Sequence, residues 1–395
     1  MDLTLDQLMM NTDGLRRDYS KLVSGFISFS NIGKWIPEME RLGNYLDVKA
    51  EEPLLAEWYT PNEIVYQGYK VALRKFNSDL KGNPLVVVAP EAGGDSLIVD
   101  YGPNQSLVEC ALEVYPGDVY AVQKLPATDE HTEYTIDDSI RSLQACIDFI
   151  GEPVNIIGFC QGGWQSAVYT ALFPKDVKSL TVAAGPIDFH AGDAEIAKMT
   201  FTLPFSFYEM MVAAGNGNMP GSFIRHGFMM MNAVDRFLGD DLALYNNLEN
   251  RGFVDRQHQF QSWYQRYQPV PGKMYLQIVK NLFNQNKLIK GELKLLGRNV
   301  RLENIGQQLV LVGGAKDDIT PVDQVMALKK YASSKNVSEI VVPAGHIGVF
   351  MSKSVIKNFW PSILKVLGTD QSVELMRDNT IGNILKKSEL PVDNR

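Results

Sequence analysis

Residues 158–162 read Gly158-Phe159-Cys160-Gln161-Gly162, a thiol with a glycine two positions to either side, between the apolar run VNIIGF and a helix-forming stretch that starts at Gln161. That placement suits a nucleophile elbow, in which the reactive side chain sits on a strained strand-to-helix turn and the glycines let neighbouring chain come close. The following helix would aim its N-terminus at Cys160 and favour the thiolate, and the backbone N–H of Gln161 would be placed to hold an oxyanion. The chemistry implied is acyl transfer or hydrolysis through a covalent thioester. Taken alone, the pattern equally fits a buried cysteine packed beside a tight turn, so the decision rests on its partners.

Those partners follow in the order nucleophile, acid, histidine. After the run QQLVLVGG comes Ala315-Lys316-Asp317-Asp318-Ile319-Thr320-Pro321, and after EIVVPA comes Gly345-His346-Ile347-Gly348. His346 would act as general base toward Cys160, and Asp317 would orient the imidazole and stabilise its charged form, with Asp318 as the rival acid. A second oxyanion N–H is expected from the loop Pro90-Glu91-Ala92-Gly93-Gly94, at Glu91 or Ala92. His131, His190, His226 and His258 show no metal-ligand spacing, and neither a P-loop nor a strand-linked G-x-G-x-x-G occurs, so neither metal nor cofactor is expected.

A site of this kind needs strands to carry each residue. PLVVVAP, DVYAVQ, VNIIGF, SLTVAAGP, QQLVLVGG and EIVVPAGH are apolar runs of strand length, as strands buried on both faces should be. The stretch YTIDDSIRSLQACIDFIG reads as a helix closed at Gly151, and SKSVIKNFWPSILKVLG as a last helix. Strands alternating with helices at this spacing imply right-handed βαβ crossovers. The fold class is therefore α/β, an α/β-hydrolase fold with a mostly parallel central sheet flanked by helices and an inserted helical cap. Its expected divisions are an N-terminal helical extension at 1–55, the first part of the core at 56–190, the cap at 191–300, the second part of the core at 301–368 and a polar tail at 369–395. Methionines such as Met210, Met211 and Met230, with Phe201, Phe205 and Phe223, crowd the cap. They read as ordinary helix packing or as a soft lining for an apolar acyl chain.

Composition narrows the function classes. With 395 residues, 45% hydrophobic and 21% charged, the chain can build a sizeable core. Its formal charge of −8 gives a nucleic-acid partner no global help. The cysteines Cys110, Cys146 and Cys160 lack CxxC spacing, which points to a reducing compartment. The start MDLTLDQLMMNTDGLRRDY does not read as a signal peptide, and no run approaches membrane-span length. A cytoplasmic location follows, and that compartment can still hold an apolar surface the chain visits.

From about Thr60 to Leu367 the chain resembles the polyhydroxyalkanoate synthase family, in particular its two-subunit, class III type, within the synthase and intracellular depolymerase group of α/β-hydrolases. The resemblance is carried, in order, by TPNEIVYQGYKVALRKF, by IGFCQGG followed by LFPKDVKSLTVAAGPIDFHAGD, by NQNKLIKGELKLLGRNVRLENI and by AGHIGVFMSKSV. It implies that Cys160 carries a hydroxyacyl chain as a thioester taken from hydroxyacyl-CoA, with Asp317 and His346 in the roles given above. It also implies a homodimer and a second synthase subunit.

The chain departs from the synthase pattern at two points. Gln123-Lys124 stands where synthases have Asp-Trp, and Asp317-Asp318-Ile319 where they have Asp-His, the latter form being similar to intracellular depolymerases. Trp164 after the double glycine, together with APEAGG, resembles a further group of synthase-like proteins. The expected function is a synthase-like acyltransferase that passes a hydroxyacyl group to a growing polyester. The alternatives are a depolymerase or other ester or thioester hydrolase with the same triad, and a non-catalytic paralogue that binds granules or a synthase.

Overall fold

The computed structural model describes residues 41, 44–45, 57–77, 80–231 and 240–367. The N-terminal extension and the C-terminal tail expected from the sequence lie almost wholly outside the described residues. Eight strands form one sheet: β1 (Glu63–Gln67), β2 (Val71–Lys75), β3 (Gly82–Val88), β4 (Gly117–Lys124), β5 (Val154–Phe159), β6 (Val177–Ala183), β7 (Gln308–Gly314) and β8 (Val337–Val342). Their order across the sheet is β1-β2-β4-β3-β5-β6-β7-β8. The four pairings from β4 to β7 and the pairing of β7 with β8 are parallel, and β1–β2 and β2–β4 are antiparallel. The sheet is thus mostly parallel, with an antiparallel entry at one edge.

The strands that read as continuous apolar runs are the central ones. Every residue of β5 is buried, as are all but the first of β7, because helices cover both faces. Helix α1 (Leu107–Val114) is capped by Ser106, whose hydroxyl accepts the Glu109 N–H at 2.8 Å. Helix α2 (Ile136–Ile150) opens on a capping box between Thr135 and Asp138 and closes at Gly151 with φ of 80°. Helix α3 (Gln161–Leu172) is buried from Gly162 to its end, which explains its lack of a polar face.

The sheet order also says where a site belongs. From β3 the chain steps outward to β4, then returns past β3 to β5 and proceeds the other way through β6, β7 and β8. The switch point therefore lies between β3 and β5, and in open α/β sheets the crevice for a ligand opens beyond the carboxyl ends of the strands at that point. Those ends carry Glu91 and Cys160.

Between β6 and β7 come α4 (Glu195–Thr202), α5 (Phe205–Ala214), α6 (Gly221–Met231), α7 (Asp240–Asn246), α8 (Arg251–Gln265) and α9 (Gly272–Gln277). Helix α9 widens into π-helical Ile278–Asn284, where the Gln285 N–H reaches the Lys280 carbonyl at 3.2 Å. The described residues divide into two compact units. Residues 57–225 and 266–367 accompany the sheet, and the described part of 226–265 groups with Arg41, Asn44 and Tyr45. In the smaller unit the Arg41 guanidinium lies 5.0 Å from the Tyr245 ring centroid and its Nε donates to the Tyr245 carbonyl at 3.2 Å. In the larger one, the segment after α9 is latched to the loop after β6. Asn286 accepts from the Phe189 N–H at 3.2 Å and donates to Asp188 at 2.7 Å, and His190 Nε2 meets the Phe283 carbonyl at 2.6 Å.

One expectation changes. The run 352–368 is two helices, Lys353–Asn358 and Trp360–Leu367, not one. Pro361 lacks the N–H that would bond back to the Lys357 carbonyl, and its ring crowds that turn, so the helix that ends at Asn358 cannot run on through Phe359. The break turns Trp360 inward, where its indole N–H donates to the Val349 carbonyl at 2.8 Å.

Candidate active site

Cys160 sits between β5 and α3 with φ 50° and ψ −119°, a left-handed conformation that a side chain adopts only when its surroundings over-determine it. Two glycines make the turn possible. A Cβ on Gly158 would lie 2.5 Å from Ser166 Oγ and overlap the Gly162 carbonyl, and one on Gly162 would lie 2.7 Å from the Ala89 carbonyl and overlap that of Val88. Hydrogen bonds hold the turn from both sides. The Cys160 N–H donates to the Ala183 carbonyl at 3.0 Å, and the Cys160 carbonyl accepts from the Gly163 N–H at 2.9 Å. The residue before it, Phe159, packs edge-on against Trp360 at 5.4 Å and against Phe350 at 4.7 Å. That cluster ties the elbow to the helices that follow the histidine loop.

His346, nine-tenths or more buried, follows β8, and its Nδ1 lies 2.8 Å from Asp317 Oδ2. The other oxygen of Asp317 accepts two backbone N–H groups, Ile319 at 3.0 Å and Thr320 at 2.8 Å. The carboxylate is thus fully bonded and held in one orientation. Of the two rival acids, Asp317 is the one on the imidazole. Asp318 follows the turn, and its carbonyl accepts the Glu195 N–H at 3.0 Å.

Burial alone would lower the pKa of His346. The charges of Asp317 and Cys160, with hydrogen bonds to both, more than offset it, so the imidazole holds its proton well above its ordinary 6.5. With Nδ1 on Asp317, it is Nε2 that remains for the thiol. This arrangement can take the thiol proton of Cys160 onto the imidazole as the sulfur attacks, and return it to a leaving group. The other two cysteines behave differently. Burial pushes Cys110 and Cys146 up to about 12, so both are packing thiols.

Gln161 heads α3, and the first N–H groups of a helix have no acceptor within it. Its side chain accepts from the Trp164 indole N–H, which fixes the first turn. The loop after β3 carries a feature that reading the chain did not anticipate. The Glu91 carboxylate is buried, 2.8 Å from Lys70 Nζ and 3.3 Å from Lys124 Nζ, and accepts from Gln165 Nε2 at 2.9 Å and Ser139 Oγ at 3.2 Å. Burial would raise its pKa, but Lys124 and Lys70 hold it well below the usual carboxylate range. With its side chain committed there, Glu91 can face the site only through its backbone, beside the less buried Ala92. The sequence signal for this cluster was a lysine closing an apolar strand, VYAVQK, and another just before VAL.

His131 and His190 are engaged with backbone, His131 Nε2 with the Tyr69 carbonyl at 3.1 Å and His190 with Phe283 as above. Among the described residues no group of three or more His, Cys, Asp or Glu side chains converges as a metal ion would require, and no helix is long and apolar enough to cross a membrane.

The family described as "Protein of unknown function (DUF3141)" matches residues 53–371. Curated relatives are named poly(3-hydroxyalkanoate) polymerase subunit PhaC. The Haloferax mediterranei protein is 28% identical over 77% of this chain and 63% of its own length, and the Haloarcula marismortui protein is 26% identical over 77% and 66%. The Synechocystis sp. protein is 29% identical over 79% of this chain and 85% of its own. The chain thus spans just under two thirds of the two haloarchaeal relatives. The similarity to polyhydroxyalkanoate synthases expressed in the sequence motifs extends over most of the chain.

Proposed function

The chain belongs to the DUF3141 family, and from that premise we propose that it is a polyhydroxyalkanoate synthase-like acyltransferase working through Cys160, His346 and Asp317. The observation that carries the reading is Cys160 held at φ 50° at the head of α3, coupled to an imidazole whose Nδ1 lies 2.8 Å from Asp317. The similarity to polymerase subunits supplies the substrate class, a hydroxyacyl-CoA.

In the first half-reaction the Cys160 thiolate attacks the thioester carbonyl. The tetrahedral oxyanion is met by the Gln161 N–H and by a backbone N–H at Glu91 or Ala92. The C–S bond to CoA breaks, the CoA thiol leaves with the proton held on His346 Nε2, and the hydroxyacyl group stays on Cys160 Sγ. In the second, the hydroxyl of another hydroxyacyl group attacks that thioester and gives its proton to His346. A new ester forms and the Cys160 thiolate leaves. Asp317 keeps the proton on Nδ1 throughout, so that Nε2 alone exchanges protons with substrate. The segment 191–300 is proposed as the cap that selects the acyl chain.

A second reading, hydrolysis of hydroxyalkanoate esters, is favoured by the Asp317-Asp318-Ile319 form. Water then replaces the hydroxyl in the second half-reaction. The test is to incubate purified protein with 3-hydroxybutyryl-CoA, following CoA release and the mass of the peptide containing Cys160. Free CoA with a ladder of hydroxybutyryl units on Cys160 supports the transferase. Free CoA with only soluble hydroxybutyrate supports hydrolysis. Neither release nor adduct, with soluble hydroxyacid released from preformed polyester, makes it a depolymerase; no turnover of either substrate makes it a non-catalytic binding protein.

A further inference from the structure

The cluster around Glu91 lies below the site, and its side chains come from separate parts of the fold. Lys70 precedes β2, Lys124 ends β4, Ser139 is in α2 and Gln165 is in the second turn of α3. All five side chains are buried. Stability is a poor reason for such an arrangement, since well-packed apolar residues replace buried ion pairs at no loss or at a gain. What charged and hydrogen-bonded groups add is direction, because their partners have one good geometry. Gln165 makes the point: its Nε2 donates to Glu91, while its Oε1 is buried with no hydrogen-bond partner. The amide is therefore kept for the bond to Glu91 at the expense of an orphaned oxygen.

The same loop touches α3 at a second place. Gly162 presses on the carbonyls of Val88 and Ala89 so closely that a Cβ would overlap. Glu91 and Gln165 close the other side of this contact. The backbone from 89 to 92 is thus registered against the first turn of α3, and these are the two segments whose N–H groups would face an oxyanion.

We infer that the Glu91 carboxylate is a positioning residue for acyl transfer: held by Lys70 and Lys124 and bonded to Gln165, it sets the loop after β3 against the head of α3, so that both oxyanion donors are in place before substrate arrives. The inference rests on the function proposed above. It differs from a purely electrostatic role of the two ammonium groups, because removing the carboxylate leaves more positive charge beneath the site, not less. A charge effect would hold or raise the rate in Glu91→Gln. A positioning effect lowers it, and also lowers it in Gln165→Met, which alters no charge.

The experiment uses the full chain and two probes of Cys160. Iodoacetamide alkylates the thiolate without an oxyanion hole, and 4-nitrophenyl butyrate acylates it with one. Both variants are expected to alkylate at the wild-type rate while the acylation kcat falls about 30- to 100-fold with little change in KM, the effect of a donor displaced by a fraction of an ångström to an ångström. Gln165→Met carries the test alone if Glu91→Gln does not fold. Acylation within about 3-fold of wild type in the folded variants overturns the inference, as does an equal loss of alkylation and acylation. A wild-type protein that alkylates but is never acylated refutes the proposed function itself, and the inference with it; that failure is read on the wild type alone.

Discussion

Replacing Asp317 by Asn tests the site at its most constrained atom. The side chains are nearly isosteric, so the fold should persist, but the amide has only one way to sit. Oδ1 of Asp317 accepts the N–H groups of Ile319 and Thr320 at 3.0 and 2.8 Å. An amide nitrogen cannot face two donors, so the Asn oxygen must take that place and its NH2 must take the position now 2.8 Å from His346 Nδ1. His346 would then have to accept at Nδ1, which moves its proton to Nε2. An imidazole protonated there cannot take the thiol proton of Cys160. Because the tautomer is set by two backbone N–H groups and not by a flexible partner, little relaxation is available. We expect kcat/KM for acylation by 4-nitrophenyl butyrate to fall about 10³- to 10⁴-fold, or ~4–5.5 kcal/mol of transition-state stabilisation. Alkylation of Cys160 by iodoacetamide at neutral pH should slow as well, because the thiolate loses its imidazolium. Asp318→Asn should stay within about 3-fold of wild type, its turn being held by backbone. The reasoning is refuted if Asp317→Asn keeps activity within about 10-fold of wild type, or if Asp318→Asn is the damaging change.

Gly162→Ala should cost about 3 kcal/mol or more in a urea titration, because the Cβ runs into two carbonyls of β3 and its loop and no flexible side chain can yield; a loss under about 1 kcal/mol would show that the elbow can open. His346 binds its proton more tightly folded than unfolded. Its contribution to stability is therefore fully present below its ordinary 6.5 and disappears as pH rises through the raised value. The gap in urea midpoint between wild type and His346→Gln should narrow as pH rises above the ordinary 6.5 through the raised value, and a gap that stays constant or widens contradicts the raised pKa. With Cys110 and Cys146 pushed up to about 12, iodoacetamide at neutral pH should modify Cys160 alone in the native protein and all three thiols after denaturation. Mass spectrometry that finds native modification at Cys110 or Cys146 would refute the assignment of those two as packing residues.

Much of this architecture was legible in the chain because its strands are buried on both faces. Runs such as VNIIGF and LVLV admit no other soluble reading once helices lie between them, and the chain order of Cys160, Asp317 and His346 follows the strands that carry them. The antiparallel entry of β1 and β2 was not legible, since EIVYQ and VALRK look the same in either direction. Nor could neighbouring aspartates be separated by type; what distinguishes Asp317 is a turn that brings two N–H groups onto its carboxylate. The Glu91 cluster was hidden for a different reason. Its partners are scattered over residues 70–165, and a buried lysine is conspicuous only after the sheet has been assembled. The lysine that breaks the likeness to synthases at Gln123-Lys124 is one of the two that neutralise Glu91, which gives that departure a physical account.

The aromatic packing of Phe159 has a consequence for when the thiol becomes reactive. Its neighbours Phe350 and Trp360 are encoded about 200 residues later, a contact of high sequence separation whose loop-closure cost is met late in folding. Asp317 and His346 are supplied by the same late segment. During synthesis, β5 and α3 emerge long before it, so a nascent chain can form the parallel pairs of β3, β5 and β6 while Cys160 has neither its imidazole nor the packing that holds its strained backbone. The thiol then behaves as an ordinary cysteine, safe from premature acylation. Reactivity switches on with docking of the last two strands and the helices beyond them, which makes the onset of thiolate alkylation a clock for completion of the fold.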